Sequence, residues 1–157
     1  MQFQNKITPF LSFPNEAEEA ANFYVSLLPG SQIVRTLRNP HSGDVMTVEF
    51  ELAGMTFVAL NTGQDWPFSN AFSLAISCEN QAEIDDLWTK LLDGGKEMAC
   101  GWLSDKFGVP WQIVPAAIGP MLSDPDPKRA KRVFDAMCQM IKLDIATLQA
   151  AYDEGNG

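Results

Sequence analysis

The residues best placed to do chemistry lie together in Cys100 to Pro115, CGWLSDKFGVPWQIVP. This stretch holds a cysteine, an Asp-x-x-Gly turn and two of the four tryptophans. It ends in a short apolar strand from Trp111 to Val114, in which Gln112 is polar where its neighbours are not. A thiolate at Cys100 would serve as nucleophile or redox centre if its pKa were lowered, although the motif contains no histidine to lower it. The plainer alternative is a small, inert, half-apolar side chain. Asp105 with Gly108 reads as a turn, the carboxylate bonding the local backbone and the glycine taking a positive φ; a catalytic carboxylate is the other reading. Gln112 among aromatics fits a strand lining a pocket. Equally, Trp102 and Trp111 are core filler and Gln112 points outward.

The elements that must position these residues follow from periodicity. Lys6 to Phe13 is read as a strand at an edge or bulge, because Pro9 cannot donate to a ladder. Asn15 is placed as the N-cap of a helix with Glu16, Glu18 and Glu19 in its first turn. Ala20, Phe23, Tyr24, Leu27 and Leu28 form its apolar face, and Pro29-Gly30 ends it. Ser31 to Arg38 is a strand, followed by a turn-rich loop from Asn39 to Asp44 that holds the one histidine, His41. Val45 to Leu52 alternates with a period of two, a half-buried strand; alternation favours Glu49 and Glu51 turned to solvent, and the contrary reading turns one of them inward. Ala53-Gly54 is a tight hairpin, and Met55 to Asn61 runs back. Thr62 to Asn70 is long for a connection and reads as a mobile cover.

The order then repeats. Ala71 to Cys78 is a strand; Asn80 caps a helix with Ile84, Leu87, Trp88, Leu91 and Leu92 on one face; Gly94-Gly95 stops it. Short strands are expected at Lys96 to Met98, Trp102 to Leu103 and Trp111 to Val114. The halves agree in pattern, not in identity, so an internal duplication is an inference. Pro115 to Pro127 is irregular and proline-rich. Two helices follow, Lys128 to Met140 and Leu143 to Tyr152, expected to pack across the sheet or onto a second subunit.

Composition bounds the function classes. The chain has 157 residues, of which 46% are hydrophobic, enough for one domain with its own core. Twenty acidic against 11 basic residues give a net charge of −9, which repels phosphate backbones and anionic lipid, so neither nucleic acid nor membrane is an expected partner. Three cysteines, Cys78, Cys100 and Cys138, form no CxxC pair. An odd, scattered count suits a reducing compartment, and no signal pattern or membrane-length apolar run is visible, so a cytoplasmic protein is expected.

Three stretches carry a resemblance: Asn15 with Asn22-Phe23-Tyr24, Gly54 to Asn61 (GMTFVALN), and Cys100 to Pro115, with Met140 to Ile145 (MIKLDI) in keeping. Together they resemble the PhnB-like, or 3-demethylubiquinone-9 3-methyltransferase-like, branch of the vicinal oxygen chelate (glyoxalase/bleomycin resistance/dioxygenase) superfamily. The resemblance implies an α+β fold of paired βαβββ modules, each a half-barrel closing a cup, and a homodimer. It places one module at residues 5–62, a second at 71–115 and a helical tail at 116–157, within a single domain of residues 1–157.

In metal-dependent members of that superfamily, ligands stand on the first and fourth strands of each module. The matching places here are near Thr8, near Leu60 or Asn61, at Ser73 and at Gln112. Neutral Thr, Asn, Ser and Gln make a poor set for a divalent ion, so no metal cofactor is expected. Nor does a G-x-G-x-x-G turn support the methyltransferase wording. The expected site is an aromatic cup for a small organic molecule, lined by Thr8, Asn61, Trp66, Phe68, Ser73, Cys100, Trp102, Trp111 and Gln112. The alternative is an enzyme of lyase, isomerase, dioxygenase or transferase type using a metal or acid/base group in the same cup.

Overall fold

The structure, a computed structural model, describes residues 3–155 and divides into a unit ending at Pro67 and another beginning at Phe68. Each unit contains one four-stranded βαβββ sheet, and the second adds three helices, an α+β architecture with open sheets.

In the first unit β1 (Phe10–Phe13), α1 (Ala17–Val25), β2 (Gln32–Arg38), β3 (Val45–Leu52) and β4 (Met55–Asn61) give the strand order β1-β4-β3-β2. β1 runs parallel to β4, and the other pairs are antiparallel. Ala17, Ala20, Ala21 and Tyr24 recur at helical spacing and are buried. The small alanines let α1 settle close to the sheet, where the Tyr24 ring lies 6.2 Å from Phe50, itself stacked on Phe57 at 5.6 Å.

Three expectations change here. β1 begins only at Phe10; Pro9 precedes it and contributes a carbonyl, which accepts from Val58 N at 3.0 Å. Asn15 does not cap α1: the N-cap is Glu16, whose side chain makes no capping bond and accepts instead from Asn15 N at 3.0 Å. Nor is β3 half-buried. It is an inner strand, and Thr47, Val48, Glu49 and Phe50 are all buried, so Glu49 is shielded and not turned to solvent. At the β3–β4 hairpin Leu52 pairs with Met55, and Ala53 (φ 47°) and Gly54 (φ 91°) both take positive φ, as a two-residue type I′ turn demands.

In the second unit β5 (Leu74–Cys78), α2 (Gln81–Leu92), β6 (Lys96–Glu97), β7 (Trp102–Ser104) and β8 (Pro110–Pro115) repeat the connectivity in the order β5-β8-β7-β6. Asn80 caps α2 as its sequence position predicts, accepting from Glu83 N at 2.9 Å, while Glu83 reaches back to Glu79 N at 2.8 Å. Ile84, Leu87, Trp88 and Leu91 are its buried face. After α2 the backbone of β7 passes so close that a Cβ on Gly95 would stand 2.1 Å from Ser104 O.

The stretch read as irregular before Pro127 contains a short helix, α3 (Ile118–Leu122). It is followed by α4 (Pro127–Cys138) and α5 (Ile145–Asp153), capped by Asp126 and Asp144. Met121, Val133, Leu143 and Leu148 form their apolar centre, against which Val114 of β8 packs. Gln81 clamps this tail to α2: its Nε2 donates to Leu143 O at 3.1 Å and its Oε1 accepts from Ile145 N at 2.8 Å. Among the described residues no helix is long and apolar enough to cross a membrane.

Candidate functional site

On β8, alternation sends Trp111 and Ile113 towards α2, where both are buried, and turns Gln112 and Val114 to the opposite face. Gln112 stands across from Trp102 on β7 and beside Ala75 on β5. Its Nε2 donates to Ser73 Oγ at 2.9 Å. Three of the sequence-selected residues, Ser73, Trp102 and Gln112, are therefore brought together, all half-buried, on the face of the second sheet away from α2.

Trp111 belongs to the other face. Its indole Nε1 donates to Asp105 Oδ2 at 2.9 Å, and Asp105 Oδ1 accepts from Phe107 N at 2.8 Å and Val109 N at 3.0 Å. With Gly108 at φ 86° and its N–H on Asp105 O, this is the Asx-type turn the sequence suggests, built around a buried carboxylate that folds the loop.

Cys100 sits at the turn before β7 with φ 62°, a left-handed conformation uncommon outside glycine. Its N–H donates to Met140 O and that of Gly101 to Ile141 O, both at 2.8 Å, so the tail completes this turn. Desolvation first, and the neighbouring Cys100 thiol second, raise the Cys138 pKa. Cys78 is buried, and desolvation followed by repulsion from Glu83 and Glu79 pushes it up to about 12.

In the first unit, both polar atoms of Asn61 are engaged. Oδ1 accepts from Ala17 N at 2.9 Å, capping α1 in place of Asn15, and Nδ2 donates to Val45 O at 3.1 Å. Thr8 Oγ1 is buried without a hydrogen-bond partner. Trp66 is 59% exposed, and Phe68, across the boundary between the units, is half-buried. His41 is exposed in its turn, its N–H bonded to Asn39 Oδ1.

The residue that strand alternation places wrongly is Glu49, which turns inward where the alternation favours solvent. It is 6% exposed; Oε2 lies 3.4 Å from Arg35 Nε, and Oε1 is buried with no hydrogen-bond partner. Leaving such an oxygen unpaired costs about 1–3 kcal/mol, more if charged. Arg35, directly opposite on β2, was the available sequence signal: a cross-strand charge pair. The first unit also has a polar cleft of about 620 Å³ at the strand ends, bordered by Glu18, Arg38, Asp44 and Asn61, with Arg38 and Glu18 paired at 3.7 Å.

A divalent ion of the kind the superfamily uses does not fit these donors. Asn61 is consumed by the backbone, Gln112 is tied through its amide nitrogen to Ser73, and Thr8 and Ser73 are neutral hydroxyls. Among the described residues no group of three or more His, Cys, Asp or Glu gathers to hold a metal.

Residues 5–114 match the family described as 3-demethylubiquinone-9 3-methyltransferase. The chain belongs to that family. It is a member of the PhnB-like branch of the vicinal oxygen chelate superfamily. A PhnB protein of Bacillus cereus is 36% identical over 71% of this chain and 100% of its own, with a TM-score of 0.67. A Pseudomonas aeruginosa protein shares the fold at 20% identity, over 71% of this chain and 98% of its own, with a TM-score of 0.59. A fosfomycin resistance protein of Listeria monocytogenes, complexed with Mn(II) and dihydroxypropylphosphonic acid, shares it at 10% identity, over 72% of this chain and 93% of its own, with a TM-score of 0.52. No curated protein matches. Family membership covers both βαβββ modules and stops short of the tail.

Proposed function

We infer that this family member binds a small, partly apolar organic molecule without a catalytic metal, as a homodimer. The observation that carries the reading is the Ser73–Gln112 pair beside Trp102 on the face away from α2. Trp102 offers a flat apolar wall. Gln112 is held by Ser73 through its nitrogen, which fixes its carbonyl oxygen as a directional acceptor. On this reading Asn61 and Trp111 serve the fold, and ligand contacts come from Trp102, Gln112 and Ser73.

The test is titration of intrinsic tryptophan fluorescence with a panel of small aromatic compounds, alongside native mass spectrometry for retained molecules. We expect saturable one-to-one binding that Gln112→Leu weakens about tenfold, the worth of one hydrogen bond. No binding in any condition, or binding indifferent to Gln112→Leu, overturns the reading. Elemental analysis tests the metal-free part: a stoichiometric transition metal would favour the lyase, isomerase, dioxygenase or transferase alternative instead. Sedimentation velocity decides the dimer.

A further inference from the structure

Cys138 is the last residue of α4 and is exposed; Cys100, in the turn before β7, is half-buried. Main-chain bonds fix the two against each other. Gln139 N donates to Ala136 O at 3.2 Å and Met140 N to Met137 O at 3.1 Å, so the chain folds back at the end of α4. It then runs along the turn, where Met140 O accepts from Cys100 N and Ile141 O from Gly101 N, both at 2.8 Å. Packing holds that register: a Cβ on Gly101 would stand 3.0 Å from both the Leu143 side chain and Ile113 O. The Cys138 thiol therefore has the Cys100 thiol as its neighbour, while Cys78 is buried in β5. Cys100 also holds φ 62°, where a glycine would carry no strain, and backbone strain of this kind collects at functional positions.

A disulfide needs two backbones held close together with the side chains turned to one another. The amide of Cys100 is bonded to the carbonyl only two residues beyond Cys138. We propose that Cys100 and Cys138 form a reversible disulfide in response to a peroxide, clasping the α3–α5 tail to the turn before β7. Hydrogen peroxide oxidises one thiol to a sulfenic acid and releases water. The other sulfur then displaces the hydroxyl group, which leaves with that thiol's proton as a second water. Two thiols and one peroxide thus give one disulfide and two waters. The new bond closes a long loop where the tail otherwise rests on main-chain hydrogen bonds, the Gln81 clamp and apolar packing that includes Val114. Scattered cysteines that pair only on oxidation are the redox-sensing kind, not structural staples. The clasp needs no ligand, so it stands apart from the small-molecule reading above.

The test treats the reduced full chain with a few equivalents of hydrogen peroxide, blocks free thiols by alkylation and maps tryptic peptides without reduction. The Cys100 and Cys138 peptides should appear linked within one chain, and dithiothreitol should separate them. Tm should rise by about 5–10 °C on oxidation and fall back on reduction. Cys138→Ser, at an exposed position, should abolish that rise and leave Cys100 as a sulfenic acid that dimedone traps. Cys100→Gly, which suits the positive φ, should abolish it too and is the second variant. Oxidation of the two sulfurs without a link, links only between chains, a link that leaves Tm unchanged, or a Tm rise that persists in either variant overturns the proposal.

Discussion

Trp111 Nε1 and Asp105 Oδ2 are joined by a 2.9 Å hydrogen bond in the interior of the second module. Two backbone amides converge on the other oxygen of the same carboxylate. Replacing Asp105 with Ala strands three donors, at least two of them buried, and should destabilise the chain by about 3 kcal/mol. For a chain of this length that lowers Tm by about 6–12 °C, readable by differential scanning calorimetry. A catalytic carboxylate would instead lose function at unchanged Tm.

The cysteines should separate by reactivity. Cys78, pushed up to about 12 and buried, stays a thiol at pH 8 and should resist iodoacetamide until the protein unfolds. Cys138 is exposed, and its raised pKa means that its labelling should climb only above the ordinary thiol value of about 8.5. Peptide mapping after labelling across pH 7 to 10 checks both.

Acid should loosen the tail. The Tyr152 hydroxyl, the Asp126 N–H and the nearby Arg129 guanidinium hold Asp124 below the usual carboxylate range. A carboxyl depressed on folding stabilises the folded state above its unfolded pKa, about 3.9, and that contribution is lost as pH falls through the folded value. The Tm gap between the wild type and Asp124→Asn should therefore be widest near neutrality and shrink as pH falls below about 4. A gap that grows with acid would contradict the assignment.

Ala53 takes φ 47° in the first hairpin, a position that Asn tolerates better in a type I′ turn. Ala53→Asn should raise stability by about 1 kcal/mol, measured by urea denaturation with unchanged m.

The fold was legible because the helices announce themselves twice by three- and four-residue spacing, and α2 ends just before Gly94, at positive φ; α1 stops earlier than Pro29-Gly30 suggested, at Val25 with Ser26 as its C-cap. Asn80 likewise caps where its position says. What sequence could not show were bonds between distant residues. Asn61 caps a helix that starts 44 positions earlier, so local rules assigned that role to Asn15. Glu49 followed the polar alternation of β3, but strand order, which no local pattern encodes, makes that strand an inner one. Trp102 and Trp111 looked alike in one motif, and only the register of β7 on β8 divides them between two faces.

The hydrogen bonds from Cys100 and Gly101 to Met140 and Ile141 have a practical consequence for fragment design. Homology to the family ends at residue 114, yet the amides of its most distinctive turn are satisfied from beyond that point. A truncation drawn at the homology boundary would strip the α3–α5 cover from Val114 and hand two N–H groups back to water. For this chain the unit that is shared and the unit that folds are not the same length.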